Sequence, residues 1–234
     1  TQCNHNGNNN LDDDGDGIID ELFETLYDPN LGTNQFKLTP DCFMQGGSIW
    51  NDIELDLNND FIIEAELDFG NNQAEGADGI AFVLQTDPNT TSSVTQGGSV
   101  GHGGLEPALI FEFDSHPNTN EPNNDHFQLK ESVDASNRID LDFSTSLPKG
   151  ANNSVSIGEV ESQIFWHLLR IEWVADTDND PTTTEGRLNV FFDVNRDGDI
   201  TDPGDHLVED YDYDVINTIF PNENGKVFWG FTAA

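Results

Sequence analysis

The chain has 234 residues and carries 45 acidic against 8 basic side chains, a net charge of −37. A field of that sign repels nucleic acid and anionic membranes and draws divalent cations, and the sequence has no run of about 18 apolar residues, so neither nucleic acid binding nor membrane insertion is expected. Hydrophobic residues make up 35%, with 16 Phe and 4 Trp, which fills one substantial core and argues against a disordered acidic chain. Taken from the N-terminus, Thr1 resembles a mature or trimmed start, and Asn4–Asn10 is a polar, glycine-punctuated linker. Cys3 and Cys42 are too few for a disulfide scaffold and too distant for a CxxC site. They are either one staple in an oxidising compartment or two free thiols.

Leu11–Asn30 reads as a separate small unit. Its run D-D-D-G-D-G-I-I-D sets Asp12, Asp14 and Asp16 at alternate positions before Gly17, with Asp20 following. Alternating carboxylates before a glycine wrap one Ca²⁺, as in the first half of an EF-hand loop; a solvated acidic linker is the alternative. A turn over Ile19–Leu26 is the only helical expectation. The expected organisation is an acidic linker with its calcium loop over residues 1–34 and one domain over residues 35–234.

From Phe36 onward the pattern is strands and turns. Strands are expected at Ile62–Phe69, Ile80–Leu84, Leu109–Phe113, Phe165–Val174, Arg187–Phe192 and Val227–Thr232. Asn/Asp/Gly/Pro clusters such as Thr86–Asn89 and Asp176–Thr184 separate them by turn chemistry. Many short strands with these breaks predict an all-β sandwich or barrel.

The densest chemistry lies in Phe111–His126, F-E-F-D-S-H-P-N-T-N-E-P-N-N-D-H. Glu112 and Asp114 stand two apart and therefore share one face of an otherwise apolar strand. Two such carboxylates are costly without a cation or a proton. Asn118 and Glu121 add oxygen donors and His126 an imidazole, a set that suits Ca²⁺ with a second, transition-metal ion such as Mn²⁺ beside it; an ordinary acidic turn is the alternative. Asp193–Asp205, D-V-N-R-D-G-D-I-T-D-P-G-D, offers Asp193, Asn195 and Asp197 before Gly198, then Asp199 near the carbonyl position and Asp205. It reads as a further calcium loop, although Gly204 stands where an EF-hand has its closing Glu, and a plain hairpin turn is the alternative.

Here the segments resemble a known family. Glu112-x-Asp114-x-x-x-Asn118, then Glu121-Pro122-x-x-x-His126, is similar to the metal-binding stretch of L-type (legume-type) lectins, closest to bacterial members. Gly76–Leu84 (GADGIAFVL), Gly97–Leu105 (GGSVGHGGL), Phe165–Trp173 and the closing GFTAA of Gly230–Ala234 resemble further segments of that family in the same order. The resemblance implies a concanavalin A-like jelly-roll sandwich of two antiparallel sheets. It implies that Glu112 and His126 hold the transition metal, Asn118 and the His116 carbonyl hold calcium, and Asp114 and Glu121 bridge the two ions. It further implies that Asp78, after a cis peptide from Ala77, accepts sugar hydroxyls beside a Gly103 or Gly104 backbone N–H and the Asn118 amide. Phe127 and His102 are the aromatic platforms to consider. Glu121 is longer by one methylene than the family's Asp, in a shortened spacer, so calcium alone is the stronger expectation. The family's specificity loop and last strand follow GFTAA, so the sugar is unreadable here and an open sheet edge is expected. The Asp12–Asp20 unit resembles thrombospondin type 3 or dockerin-like calcium repeats.

The expected function is a calcium-dependent carbohydrate-binding lectin or adhesin module, binding glycans or polysaccharide. It would belong to a secreted or cell-surface bacterial protein of several domains. Two other classes compete. A calcium-rigidified structural adhesin module would bind no sugar. A laminarinase-like glycoside hydrolase would need a second Glu at position 117 or 118, where Pro117 and Asn118 stand, so no catalysis is expected.

Overall fold

The computed structural model describes residues 24–28, 33–39, 45–70, 76, 78–86, 95–116, 125–132, 138–140, 155–157, 160, 166–176 and 186–234. A hairpin of β1 (Glu24–Asp28) and β2 (Thr33–Lys37) comes first. Strand β1 therefore stands where the sequence suggested the end of a helical turn, and the expected boundary at 34/35 falls inside β2. The strands β3 (Gly47–Trp50), β4 (Leu55–Asp56), β5 (Phe61–Leu67), β6 (Gly79–Gln85), β7 (Ala108–Asp114) and β8 (His126–Ser132) follow. After them come β9 (Arg138–Asp140), β10 (Val155–Ser156), β11 (His167–Val174), β12 (Gly186–Phe192), β13 (His206–Tyr213), α1 (Val215–Thr218) and β14 (Lys226–Ala233).

The larger sheet has the order β10-β8-β7-β6-β14-β3, with β4 beside β14 and β9 beside β8; the smaller has the order β13-β12-β11-β5. All of their pairings are antiparallel. The two sheets face each other over one core. Phe82, Phe111, Phe113 and Phe127 enter it from the larger sheet, and Leu169, Ile171, Val190 and Phe192 from the smaller. Strict alternation produces this: β11 reads buried then half-buried along its whole length, and β12 nearly so. The Tyr213 hydroxyl also crosses between sheets, donating to Glu131 Oε2 at 2.5 Å.

Strands β6 and β7 are buried on both faces. Their second face, bearing Ala81, Val83, Ala108 and Ile110, packs under Val100 and Leu105 of the 95–105 loop and beside Trp50. This covered outer face carries the candidate site.

Candidate functional site

Strand parity places Glu112 and Asp114 on that outer face, since Phe111 and Phe113 point the other way into the core. Register sets Asp114 directly opposite His126 on β8 and Gly79 on β6, and Glu112 opposite Gln128 and Ala81. Asp114, Glu112 and His126 are all buried.

The charge of Glu112 is met from two sides. Lys130 Nζ donates to Oε1, and His102 Nε2 lies 2.5 Å from Oε2. Burial pushes this carboxyl up, but the His102 hydrogen bond and the Lys130 charge outweigh it and hold it at about 2. The sequence led to the expectation of a transition metal gripped by Glu112 and His126. The structure instead compensates Glu112 with a lysine one strand away and a histidine from the loop above. The transition-metal half of the donor set therefore does not fit, since Glu112 is already taken up by Lys130 and His102.

The 95–105 loop is held down at several points. His102 reaches Glu112, Thr232 Oγ1 donates to the Val100 carbonyl at 2.7 Å, and Val100 and Leu105 bury their side chains. Gly101 sits at φ +78°, and a Cβ there would lie 2.7 Å from the Ala233 carbonyl oxygen, so a side chain is excluded by backbone on one side and by conformation on the other. Of the two glycines expected to offer an N–H outward, Gly103 donates to Thr95 Oγ1 at 2.8 Å, so its donor is used inside the loop. Gly104 is exposed, at φ +89°, and a Cβ there would meet nothing within 4 Å.

Asp78 lies just before β6, half-buried, at the junction of these parts. Its N–H donates to the Ala234 carbonyl at 2.5 Å and its carbonyl accepts from Ser115 N–H at 2.9 Å. The end of β14, the start of β6, the turn after β7 and the glycine loop thus meet around Ala233–Ala234. His116 is exposed, and its N–H caps Asp114 Oδ1 at 2.8 Å. Neither expected aromatic platform is available: Phe127 packs in the core against Phe113, with ring centroids 5.1 Å apart, and His102 is wholly buried.

Asn118 and Glu121 lie outside the described residues, as do Asp12, Asp14, Asp16, Asp20, Cys3, Cys42 and Ala77 with the peptide preceding Asp78. Among the described residues, no three Asp, Glu, His or Cys side chains are gathered to hold an ion as they stand. The chemistry around Asp114 nevertheless fits calcium. Asp114 is a buried carboxylate at the start of the turn, and the other donors expected there, the His116 carbonyl, Asn118 and Glu121, are oxygens, the set a hard ion takes.

The second acidic loop joins β12 to β13. Asp193 and Asp205, at its two ends, are buried, while Asn195, Asp197 and Asp199 are exposed. Burial pushes the Asp205 carboxyl up, against its hydrogen bond from Val194 N–H and reinforced by Asp193, Asp202 and Asp197.

Lys130, His102 and Thr95 are the site residues that sequence reasoning missed as partners. Lys130 carried a signal: it is one of only 8 basic residues, placed on the strand after the acidic turn.

The model of the legume lectin β-barrel domain matches residues 3–234. Curated relatives include the serine-rich adhesin for platelets of Staphylococcus aureus strain USA300, 32% identical over 114 residues, 47% of this chain. In strain MRSA252 the same-named protein is 32% identical over 100 residues, 42% of this chain. The matches span 5% and 7% of those adhesins, a small part of their length. Similar solved structures include a lectin from Bauhinia forficata in complex with GalNAc, with TM-score 0.51 and 17% identity over 91% of this chain and 84% of that one. The exoplasmic/lumenal domain of VIP36 in its Ca²⁺/Man-bound form gives TM-score 0.53 and 16% identity over 91% of this chain and 74% of that one. At such identities the likeness establishes the fold, a concanavalin A-like jelly-roll sandwich of two antiparallel sheets. The family match covers nearly the whole chain: it belongs to the legume lectin β-barrel (L-type lectin) domain family.

Proposed function

We propose that this lectin domain is a calcium-dependent carbohydrate-binding module of a larger secreted or cell-surface adhesin. The observation that carries the proposal is the meeting of Asp78, the pinned glycine loop and the turn after Asp114 around Ala233–Ala234. In this reading Asp78 supplies a carboxylate for sugar hydroxyls and the exposed Gly104 a backbone N–H, on a loop that the His102–Glu112 contact holds in place. Calcium would be held by Asp114, the His116 carbonyl, Asn118 and Glu121, and when bound it supplies the charge that keeps this turn of carboxylates together. Asn118 would also offer its amide N–H to the sugar, as the resemblance of this stretch to the family implies. Each such hydrogen bond is modest in water, so a single site is weak and gains from repetition along a multidomain protein.

Similar structures solved with GalNAc and with Ca²⁺ and mannose, and an adhesin among the relatives, support this choice. The hydrolase alternative loses further ground: Glu112, which would stand at the first Glu of its motif, is fully buried with His102 on one of its oxygens. The test is a glycan array with and without chelator. Calcium-dependent signal that Asp78→Ala abolishes supports the lectin function. Silence from a folded, calcium-loaded domain favours the structural module.

A further inference from the structure

The loop between β12 and β13 places five aspartates, 193, 197, 199, 202 and 205, around a single base, Arg196. Its base is rigid. Phe192 N–H donates to the Asp205 carbonyl at 2.7 Å and Asp193 N–H to the Leu168 carbonyl at 2.9 Å. His167 Nδ1, on β11, lies 2.7 Å from the Asp193 carbonyl oxygen. Both end aspartates are therefore fixed in direction by the sandwich itself.

The two carboxylates differ in how they are satisfied. Asp193 accepts N–H groups from Arg196, Asp197 and Gly198 at 2.6, 3.3 and 2.8 Å, which curls the loop around it. Asp205, 2% exposed, accepts the Val194 N–H at Oδ1, but its Oδ2 is out of reach of solvent and meets no donor. The Asp193, Asp202 and Asp197 carboxylates, all of its own sign, add to the burial that pushes the Asp205 carboxyl up. A buried carboxylate oxygen without a donor is costly, and like charges add to the cost. One cation at this point removes both penalties.

The surrounding donors say which cation. Asp193, Asn195 and Asp197 alternate before Gly198, whose φ of +82° makes the sharp turn that an EF-hand loop makes at its glycine. No His or Cys lies in the loop, so every donor is oxygen, which favours a hard ion over a transition metal. The Asn195 amide nitrogen already draws Asp197 Oδ2 and Asp202 Oδ2 together, at 3.4 and 3.0 Å.

We propose that the Asp193–Asp205 loop is a calcium site, anchored by the buried Oδ2 of Asp205 and closed by Asn195, Asp197 and Asp202. The closing side chains are exposed or half-buried and reach the ion by rotation, so binding orders the loop surface while its base stays fixed. The site sits at the same end of the sandwich as the turn after β7, because Phe113, before Asp114, packs on Phe192, before Asp193, with centroids 4.9 Å apart. It stands whether or not that turn binds metal or sugar.

Calorimetric calcium titration of the full chain tests it, together with Asp114→Asn, Asp205→Asn and the surface pair Asp197→Asn/Asp202→Asn. Amide NMR of Gly198 is followed in the Asp114→Asn variant. The expected result is that Asp205→Asn and the surface pair each lose one calcium equivalent or weaken it by about tenfold or more. Asp114→Asn keeps that equivalent, and its Gly198 amide shifts on titration. Since the surface pair removes no buried group, its result stands even if Asp205→Asn fails to fold. Wild-type stoichiometry and affinities in the surface pair, or a Gly198 amide that calcium does not move, would overturn the proposal. Loss of calcium in Asp114→Asn alone overturns it too, while leaving the proposed function intact.

Discussion

Glu112 shows how one side chain can carry a charge inside an apolar wall. It stands on a strand whose neighbours are Phe111 and Phe113, yet Lys130 and His102 close on its two oxygens and hold it ionised. Removing one partner of such a pair leaves the other buried and uncompensated, which costs about 3–5 kcal/mol, whereas removing both to apolar groups recovers much of it. Glu112→Gln is therefore expected to be strongly destabilising in urea denaturation, and Glu112→Gln/Lys130→Met to regain part of the loss. The pH dependence has a definite sign. The folded carboxyl lies below its ordinary 4.5, so its stabilisation is complete above that value and disappears as pH falls toward about 2. Glu112→Gln should lose this acid-side slope; an unchanged slope and stability would contradict the buried triad.

Among the elements, the 95–105 loop depends on a close backbone approach. Gly101→Ala puts a Cβ against the Ala233 backbone at a positive φ, so the loop must lift from β14. Glycan affinity should fall several-fold, with faster amide hydrogen exchange across residues 95–105, while Gln96→Ala, at an exposed position of the same loop, should leave exchange in the loop base unchanged. Equal effects of the two would mean the loop is not pinned at Gly101. Strand legibility follows the same physics. β6, β7, β11 and β12 were legible because they carry apolar runs or alternation. β8 and β13 were not: HFQLKES and HLVEDYDY look polar. In β8 Phe127 and Leu129 point into the core and Glu131 on the same face meets Tyr213, while His126, Gln128 and Lys130 are buried on the other face. In β13 the register shifts twice against β12, which breaks the period-two pattern a reader looks for. The short α1 rests on a capping aspartate, Asp214, whose carboxylate accepts Asn217 N–H at 3.0 Å, a signal too local to outweigh the surrounding strand pattern.

For the whole molecule, a net charge of −37 sits on one ordinary sandwich core, so the fold tolerates strong self-repulsion at its surface. Architecture was legible because segment order, GADGIAFVL before GGSVGHGGL before the acidic turn, reports which loops share one end. The site was legible only in its backbone outline. Which charge meets which depends on Lys130 and His102, brought near Glu112 by strand pairing and loop docking rather than by spacing along the chain. The most direct measurement of the central claim is a crystal grown with calcium and a glycan that the array selects, recorded at a wavelength where calcium scatters anomalously. The account predicts an anomalous peak beside Asp114, with sugar hydroxyls on the Asp78 carboxylate and the Gly104 N–H. Sugar bound elsewhere, or no peak beside Asp114 in sugar-loaded crystals, would contradict it.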